Sequence, residues 1–214
     1  MSVARSEQVH IPEEHGEEGG RGINWWGMVF FITSEALIFA NIIASYLYLE
    51  IRQGSWSLPN GEQLLGPDIY TGILILNTII LFSSSIPARL FGRALARGNQ
   101  RAMAFYLLLT AILGAIFVGL QFGVEYTHLI FGLNFTPQTN IFGSAFFTLT
   151  GFHGLHVTVG VLFLLICFIR AIRGDFAGKR HFAIEAVEMY WHFVDGVWVV
   201  VFSTVYLLPL IIRG

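Results

Sequence analysis

Five apolar stretches, each long enough to cross a lipid bilayer, dominate the 214-residue chain. They run approximately over residues 24–50, 69–88, 101–128, 140–170 and 182–211. A hydrocarbon core of about 30 Å needs about 20 apolar residues in a helix. Inside that core the backbone must satisfy its own hydrogen bonds, which helices of this length do. The sequence therefore predicts an all-α, polytopic membrane bundle of five transmembrane helices over residues 23–214.

Charged residues make up only 12% of the chain, whereas about 25% is usual for soluble domains. The formal net charge of −2 excludes a general electrostatic attraction to nucleic acid. Residues 1–22 are polar and acidic and lack the basic start and apolar core of a signal peptide, so we predict a flexible tail. His10 and His15 lie in that tail, where a solvated segment is a better prediction than a metal site.

Basic residues predict the orientation of the bundle. Cytoplasmic connections carry an excess of Lys and Arg. If the tail and the second and fourth connections are cytoplasmic, ten of the twelve basic residues lie inside, and only Arg52 and Arg213 lie outside. This places the N-terminus in the cytoplasm and the C-terminus outside.

The first and last apolar stretches contain carboxylic side chains at membrane depth. Glu35 lies about midway along the first stretch, and Glu185, Glu188, His192 and Asp195 lie in the last. On a helix these last four fall within an arc of roughly 80°. Each ionisable group costs at least about 2.5 kcal/mol inside a membrane segment. The stripe is therefore expected to face protein or water, and Glu35 is either proton-related or a buried structural carboxyl.

Two further spacings suggest ligands for a metal. Glu125 and His128 form an ExxH pattern, and His153 and His156 form an HxxH pattern. Di-iron bundles use inward-pointing Glu-x-x-His sets, and paired histidines ligate haem iron. Only one full ExxH is present, where a di-iron bundle needs two, so interhelical hydrogen bonding is the better prediction.

His192 and Asp195 are spaced to pair with one another on one helix. As a catalytic dyad they would need a nucleophile, and the sequence places none nearby. Three classes of protein remain open from the residues alone: a subunit of a larger membrane complex, a small transporter, and a metal- or haem-binding membrane enzyme. Five helices without a visible repeat argue against the transporter.

Two segments resemble a known family. TGFHGLHVTVGVLFLLICF, over residues 150–168, and EAVEMYWHFVDGVW, over residues 185–198, are similar to subunit III of the haem–copper cytochrome c oxidases. SEALIFA, over residues 34–40, and GLQFGVEY, over residues 119–126, extend the resemblance to almost everything after the tail. Five stretches correspond to the short bacterial form, which lacks the first two helices of the mitochondrial subunit.

The resemblance implies an accessory subunit without redox centres, in a proton-pumping cytochrome c oxidase of the aa3/caa3 type in the bacterial plasma membrane. Its main partner would be subunit I, with subunit II in the same complex, and those partners would carry the haem and copper. The chain would bind phospholipid, sustain proton uptake and stabilise the oxygen-reducing site during aerobic electron transport.

The electron donor follows from two residues. Quinol-oxidase homologues tend to lack the Glu and Tyr found here as Glu185 and Tyr190. The resemblance therefore favours cytochrome c as donor to the complex. Subunit III of a quinol oxidase, or a nitric-oxide-reductase-associated homologue, is the alternative.

The resemblance also implies roles for individual residues. Glu35 matches the family's membrane-embedded, carbodiimide-reactive glutamate and is the proton-related carboxylate. No residue of this chain is expected to be catalytic or to bind a metal. The remaining polar positions match recurrent family positions with a structural role, as a polar network: Glu125, His153, His156, Glu185, Glu188, Tyr190, His192 and Asp195.

Overall fold

The computed structural model describes residues 22–52, 58, 69–176 and 181–213. Every element of secondary structure in these ranges is helical, and five helices are long and apolar enough to cross a membrane. The predicted fold class is thereby confirmed. Apart from Gly22, the predicted tail lies outside the described residues. The five helices are α1 (Ile23–Arg52), α2 (Ile69–Ala96), α3 (Gln100–Leu120), α4 (Ile141–Ile172) and α5 (Phe182–Phe202).

Two of these helices continue through wider, π-helical turns. After α3 come the π segments Gln121–Glu125 and His128–Gly132, so the third span extends to Gly132. After α5 come the π segment Ser203–Leu207 and a short final helix, α6 (Leu208–Arg213). Such turns are frequent at functional positions because they rotate the side chains relative to a regular helix.

The second helix is longer than its apolar pattern predicts. We expected it to end near Pro87, but α2 continues through Pro87 to Ala96. Proline removes one backbone hydrogen bond, and neighbouring helices in a membrane bundle tolerate that loss. Ala88 and Phe91, just beyond the proline, are completely buried. Packing against neighbouring helices therefore stabilises α2 beyond the end of its apolar stretch.

The connections begin and end the helices with recognisable caps. Gly98 adopts φ of +71° after α2, and the Asn99 side chain accepts a hydrogen bond from the Ala102 amide at the start of α3. Asn140 caps α4 in the same way through the Gly143 amide. Gly174, with φ of +85°, follows α4. Left-handed glycines and asparagine caps are the expected ends of helices.

Helix α5 lies at the centre of the bundle and α1 at its edge. In the most apolar 18-residue window of each span, 50% of the residues are buried within the chain for the span that contains α5, compared with 6% for α1. Helix α1 packs against α4 and α5, whereas α2 packs against α3 and α5. The indole of Trp191 on α5 fits between Gly114 on α3 and Gly160 on α4, where an added Cβ would press on the ring. The central position of α5 explains how its polar residues meet other helices and not lipid.

Candidate functional site: polar groups buried between the helices

Glu35 on α1 and His156 on α4 form an ion pair between the two helices. The Glu35 Oε2 and His156 Nε2 atoms are 2.9 Å apart. Their side chains are 19% and 11% exposed, so the pair is shielded but not sealed. Among the described residues, the other ion pair closer than 4 Å joins Arg170 and Asp175 and is about half exposed. Of these two pairs among the described residues, Glu35–His156 is therefore the one that is shielded from solvent.

The opposite nitrogen of His156 determines how this pair holds its proton. The His156 Nδ1 lies 2.8 Å from the backbone carbonyl oxygen of Phe152. A carbonyl can only accept, so Nδ1 must carry a hydrogen. The Nε2 therefore either accepts a proton from a neutral Glu35 carboxyl or, as imidazolium, donates one to the carboxylate. In both forms the pair holds one shared proton and no net charge, which suits a membrane interior.

Aromatic side chains enclose this pair. The Phe39 and Phe152 rings lie edge-on to the His156 ring, with centroids 4.9 and 4.6 Å away. The Tyr190 hydroxyl on α5 donates to the backbone oxygen of His156 at 3.2 Å. Residues of three helices thus fix the position of the histidine next to Glu35.

His153, one turn earlier on α4, has a different environment. It is 1% exposed, and neither ring nitrogen has a hydrogen-bond partner among the described residues. Its ring stacks on Trp198 at 4.8 Å and meets the edge of Phe117 at 5.9 Å. The expectation of interhelical hydrogen bonding therefore holds for the side chain of His156 and does not hold for His153.

Glu125 lies in the first π segment and contacts the last one. The Tyr206 hydroxyl donates to Glu125 Oε1 at 2.5 Å, while Oε2 is buried without a partner among the described residues. Beside it, the Tyr126 and Thr150 hydroxyls are 2.7 Å apart, and Thr150 donates to the Phe146 carbonyl. Since Thr150 has one hydrogen, Tyr126 must donate to it. Glu125 therefore belongs to a contact between π segments that is separate from the Glu35–His156 pair.

The polar stripe of α5 faces α2. Asp195 accepts a short hydrogen bond from the Ser85 hydroxyl through Oδ2. The expected pairing of Asp195 with His192 does not form, and the His192 Nε2 has no partner among the described residues. Glu188, on the same side, packs directly against Gly92 of α2.

Hydroxyl groups on α2 are the partners that sequence reasoning missed. Ser84 accepts from the Trp191 indole at 2.9 Å, and Thr78 accepts from the Trp198 indole at 3.3 Å. Both hydroxyls also donate to carbonyls of their own helix. The run of three serines at 83–85 in an apolar helix was the available signal. Together with Ser85, these hydroxyl groups form the hydrogen bonds that join α2 to polar side chains of α5.

The eight residues predicted as one polar network therefore divide among several contacts. His156 and Tyr190 lie with Glu35, Glu125 lies with Tyr206, Asp195 lies with Ser85, and His153 is held by aromatic rings. Glu185 is half-buried on the α5 stripe. Nowhere in the described ranges do three His, Cys, Asp or Glu side chains converge as metal ligands would. Glu35 and His156 are the carboxyl–imidazole pair of the described residues that is close enough to share a proton.

Comparison with known proteins gives one consistent family. The family profile described as cytochrome c oxidase subunit III matches residues 6–209. The chain is 40% identical over 198 residues to "Cytochrome c oxidase subunit 3" of Synechocystis, a match that covers 92% of this chain and 80% of that protein. It is 39% identical over 186 residues to the human protein of the same name, covering 85% and 68% of the two chains.

Proposed function

The chain belongs to the cytochrome c oxidase subunit III family, and from this premise we propose that it serves a proton-pumping oxidase of the aa3/caa3 type as an accessory subunit. As part of such a complex it contributes to an oxidoreductase while performing no catalysis itself. Subunit I is its main partner, and subunit II belongs to the same complex. The haem and copper centres reside in those partners, and phospholipid fills the remaining membrane-facing surface.

The Glu35–His156 pair carries this proposal. A proton shared by a carboxylate and an imidazole 2.9 Å apart leaves the pair without net charge, which favours holding the proton inside the bundle until a neighbouring acceptor takes it. Partial exposure of both side chains allows exchange with the surroundings. In this role the pair supports proton uptake by the neighbouring subunit, and the packing around it stabilises the oxygen-reducing site.

The membrane placement follows from the basic residues. With the N-terminus inside, the α2–α3 and α4–α5 connections face the cytoplasm of a bacterial cell, and the protein lies in the plasma membrane. The domain division into an N-terminal tail over 1–22 and a five-helix domain over 23–214 is part of the same proposal.

Cytochrome c is the proposed donor to the complex. Tyr190, one of the two residues that quinol-oxidase homologues tend to lack, donates a hydrogen bond to the backbone of His156. This contact gives Tyr190 a place in the same site as Glu35. The names of the relatives at 40% and 39% identity agree with this donor.

The test is Glu35→Gln in the whole oxidase, purified from its native membrane. We expect normal haem spectra, slower proton uptake and a severalfold shorter catalytic lifetime, because glutamine cannot release a proton. Stopped-flow proton uptake and the number of turnovers before inactivation measure these effects.

Asp175→Asn is the matched control, because it removes a carboxylate from the exposed ion pair with Arg170. We expect this variant to behave as the wild type. Loss of haem spectra in the Glu35 variant, or an unchanged lifetime and proton uptake, would refute the supporting role.

A further inference from the structure

A groove at the end of α2 has the features of a phospholipid site. Arg89 and Arg93 lie between two adjoining recesses in the surface. One recess is also lined by Ser85, Ile86 and Leu90, and the other by Gly92, Ala96, Glu188 and His192. The two arginines border both recesses, so each recess combines apolar surface with guanidinium donors.

From Ile86, which lines the first recess, an apolar stripe runs along the exposed side of α2. Ile75, Ile79, Phe82 and Ile86 are between 38% and 65% exposed. Together with Arg89 and Arg93 they fall within an arc of about 80° on α2. At a rise of 1.5 Å per residue, the stripe from Ile75 to Arg89 is about 21 Å long, comparable to an extended acyl chain.

Both arginines lie in the last two turns of α2. Arg89 precedes the end of α2 at Ala96 by about 10 Å of helix, and Arg93 by about 5 Å. Long basic side chains near helix ends extend toward the interface. Both side chains are exposed, and neither forms an ion pair closer than 4 Å with any described residue. Their guanidinium donors are free to bind a phosphate, which they recognise through paired hydrogen bonds.

The charge of the groove selects an anionic lipid. Arg89 and Arg93 outweigh the single carboxylate of Glu188 that lines the groove. Widening the count to include Arg97, Arg101, Glu185 and Asp195 leaves four arginines against three carboxylates, so the sign stays positive. A lipid with a net charge of −1 neutralises this excess, whereas a zwitterionic lipid does not.

The recess beside Glu188 bears on the headgroup. Glu188, which lines it, offers carboxylate acceptors, whereas the His192 Nε2 is shielded from the surface. A headgroup that carries hydroxyl groups can donate to Glu188. We infer that Arg89 and Arg93 bind the phosphodiester of a phosphatidylglycerol-type lipid, with the glycerol headgroup against Glu188 and an acyl chain along the Ile75–Ile86 stripe. This deepens the proposed function, on which it rests for the lipid partner.

The experiment uses the whole oxidase in detergent with photoactivatable phosphatidylglycerol, followed by mapping of the labelled peptides. We expect labelling of α2 that unlabelled phosphatidylglycerol displaces at least about tenfold better than phosphatidylethanolamine or phosphatidylcholine does. This measurement on the wild type requires no variant to fold. Equal displacement by all three lipids would overturn the inference, and displacement by millimolar inorganic phosphate would make the groove a free-phosphate site.

The matched variants are Arg89→Gln/Arg93→Gln and Arg97→Gln/Arg101→Gln. Each removes two positive charges, the first from the end of α2 and the second from the α2–α3 connection and the first turn of α3. The first should lose α2 labelling about tenfold, and the second should keep it. Equal loss in both would show a general attraction to basic residues and no site. An unlabelled wild type whose Arg89/Arg93 variant sheds partner subunits would mean that protein covers the groove. Co-purification of the chain with the haem subunits, scored in the same sample, tests the proposed function separately.

Discussion

His153 and His156 lie one turn apart on α4, in the same GFHGLHV segment, yet the bundle treats them differently. His156 shares a proton with Glu35 and is fixed by a backbone carbonyl, whereas His153 is buried between Trp198 and Phe117 with neither nitrogen bonded among the described residues. The first histidine acts through its nitrogens and the second through its ring. The spacing of an HxxH pattern sets where the two side chains leave the helix. The neighbouring helices determine which groups each side chain contacts.

The largest expected effect comes from removing the nitrogens that pair with Glu35. His156→Phe keeps an aromatic ring but leaves a carboxylate unpaired inside the bundle, so we expect a loss of about 3–5 kcal/mol in the free energy of unfolding. Chemical unfolding of the subunit in the detergent-solubilised oxidase measures it.

The double variant Glu35→Leu/His156→Phe sharpens this result. Because both polar partners are gone, it should recover most of the lost stability. A double variant no more stable than His156→Phe would contradict the pairing of the two side chains.

A smaller effect is expected at His153, and its pattern should be opposite. His153→Ala opens a cavity between two aromatic rings and should cost about 2–4 kcal/mol of unfolding free energy. His153→Phe refills the space and removes no hydrogen bond, so its cost should stay within about 1.5 kcal/mol. The same unfolding measurement compares both variants with His156→Phe. If His153→Phe were as damaging as His153→Ala, the ring nitrogens of His153 would have partners after all, and the contrast between the two histidines would fail.

The smallest effect is expected at Tyr190, which touches the pair only through the backbone of His156. Tyr190→Phe removes the 3.2 Å hydrogen bond while keeping the ring contact with Phe163, so it should cost about 0.5–1.5 kcal/mol. Tyr206→Phe serves as the reference, because its hydroxyl donates to the carboxyl of Glu125 and its loss should cost more. Equal costs, measured by unfolding in the oxidase, would argue against a special role for the carboxyl partner.

Much of the fold could be predicted from the sequence because membrane helices satisfy their backbones locally. The five apolar stretches predicted the five helices, and the motifs around His153 and His192 predicted the family. The end of α2 was missed, because buried packing of Ala88 and Phe91 carries the helix past Pro87 and into the two arginines of the groove.

The partners of the polar side chains were decided only by tertiary structure. Glu35 was recognisable as a candidate from its depth in an apolar stretch, but its partner lies 121 positions away on α4. Asp195 meets Ser85 across 110 positions, although His192 stood three residues from it. Backbone hydrogen bonding in a helix is a local property that residue spacing can specify. A side-chain contact between two helices depends on how each helix is rotated about its axis and on where the two helices touch. The packing of the whole bundle determines both.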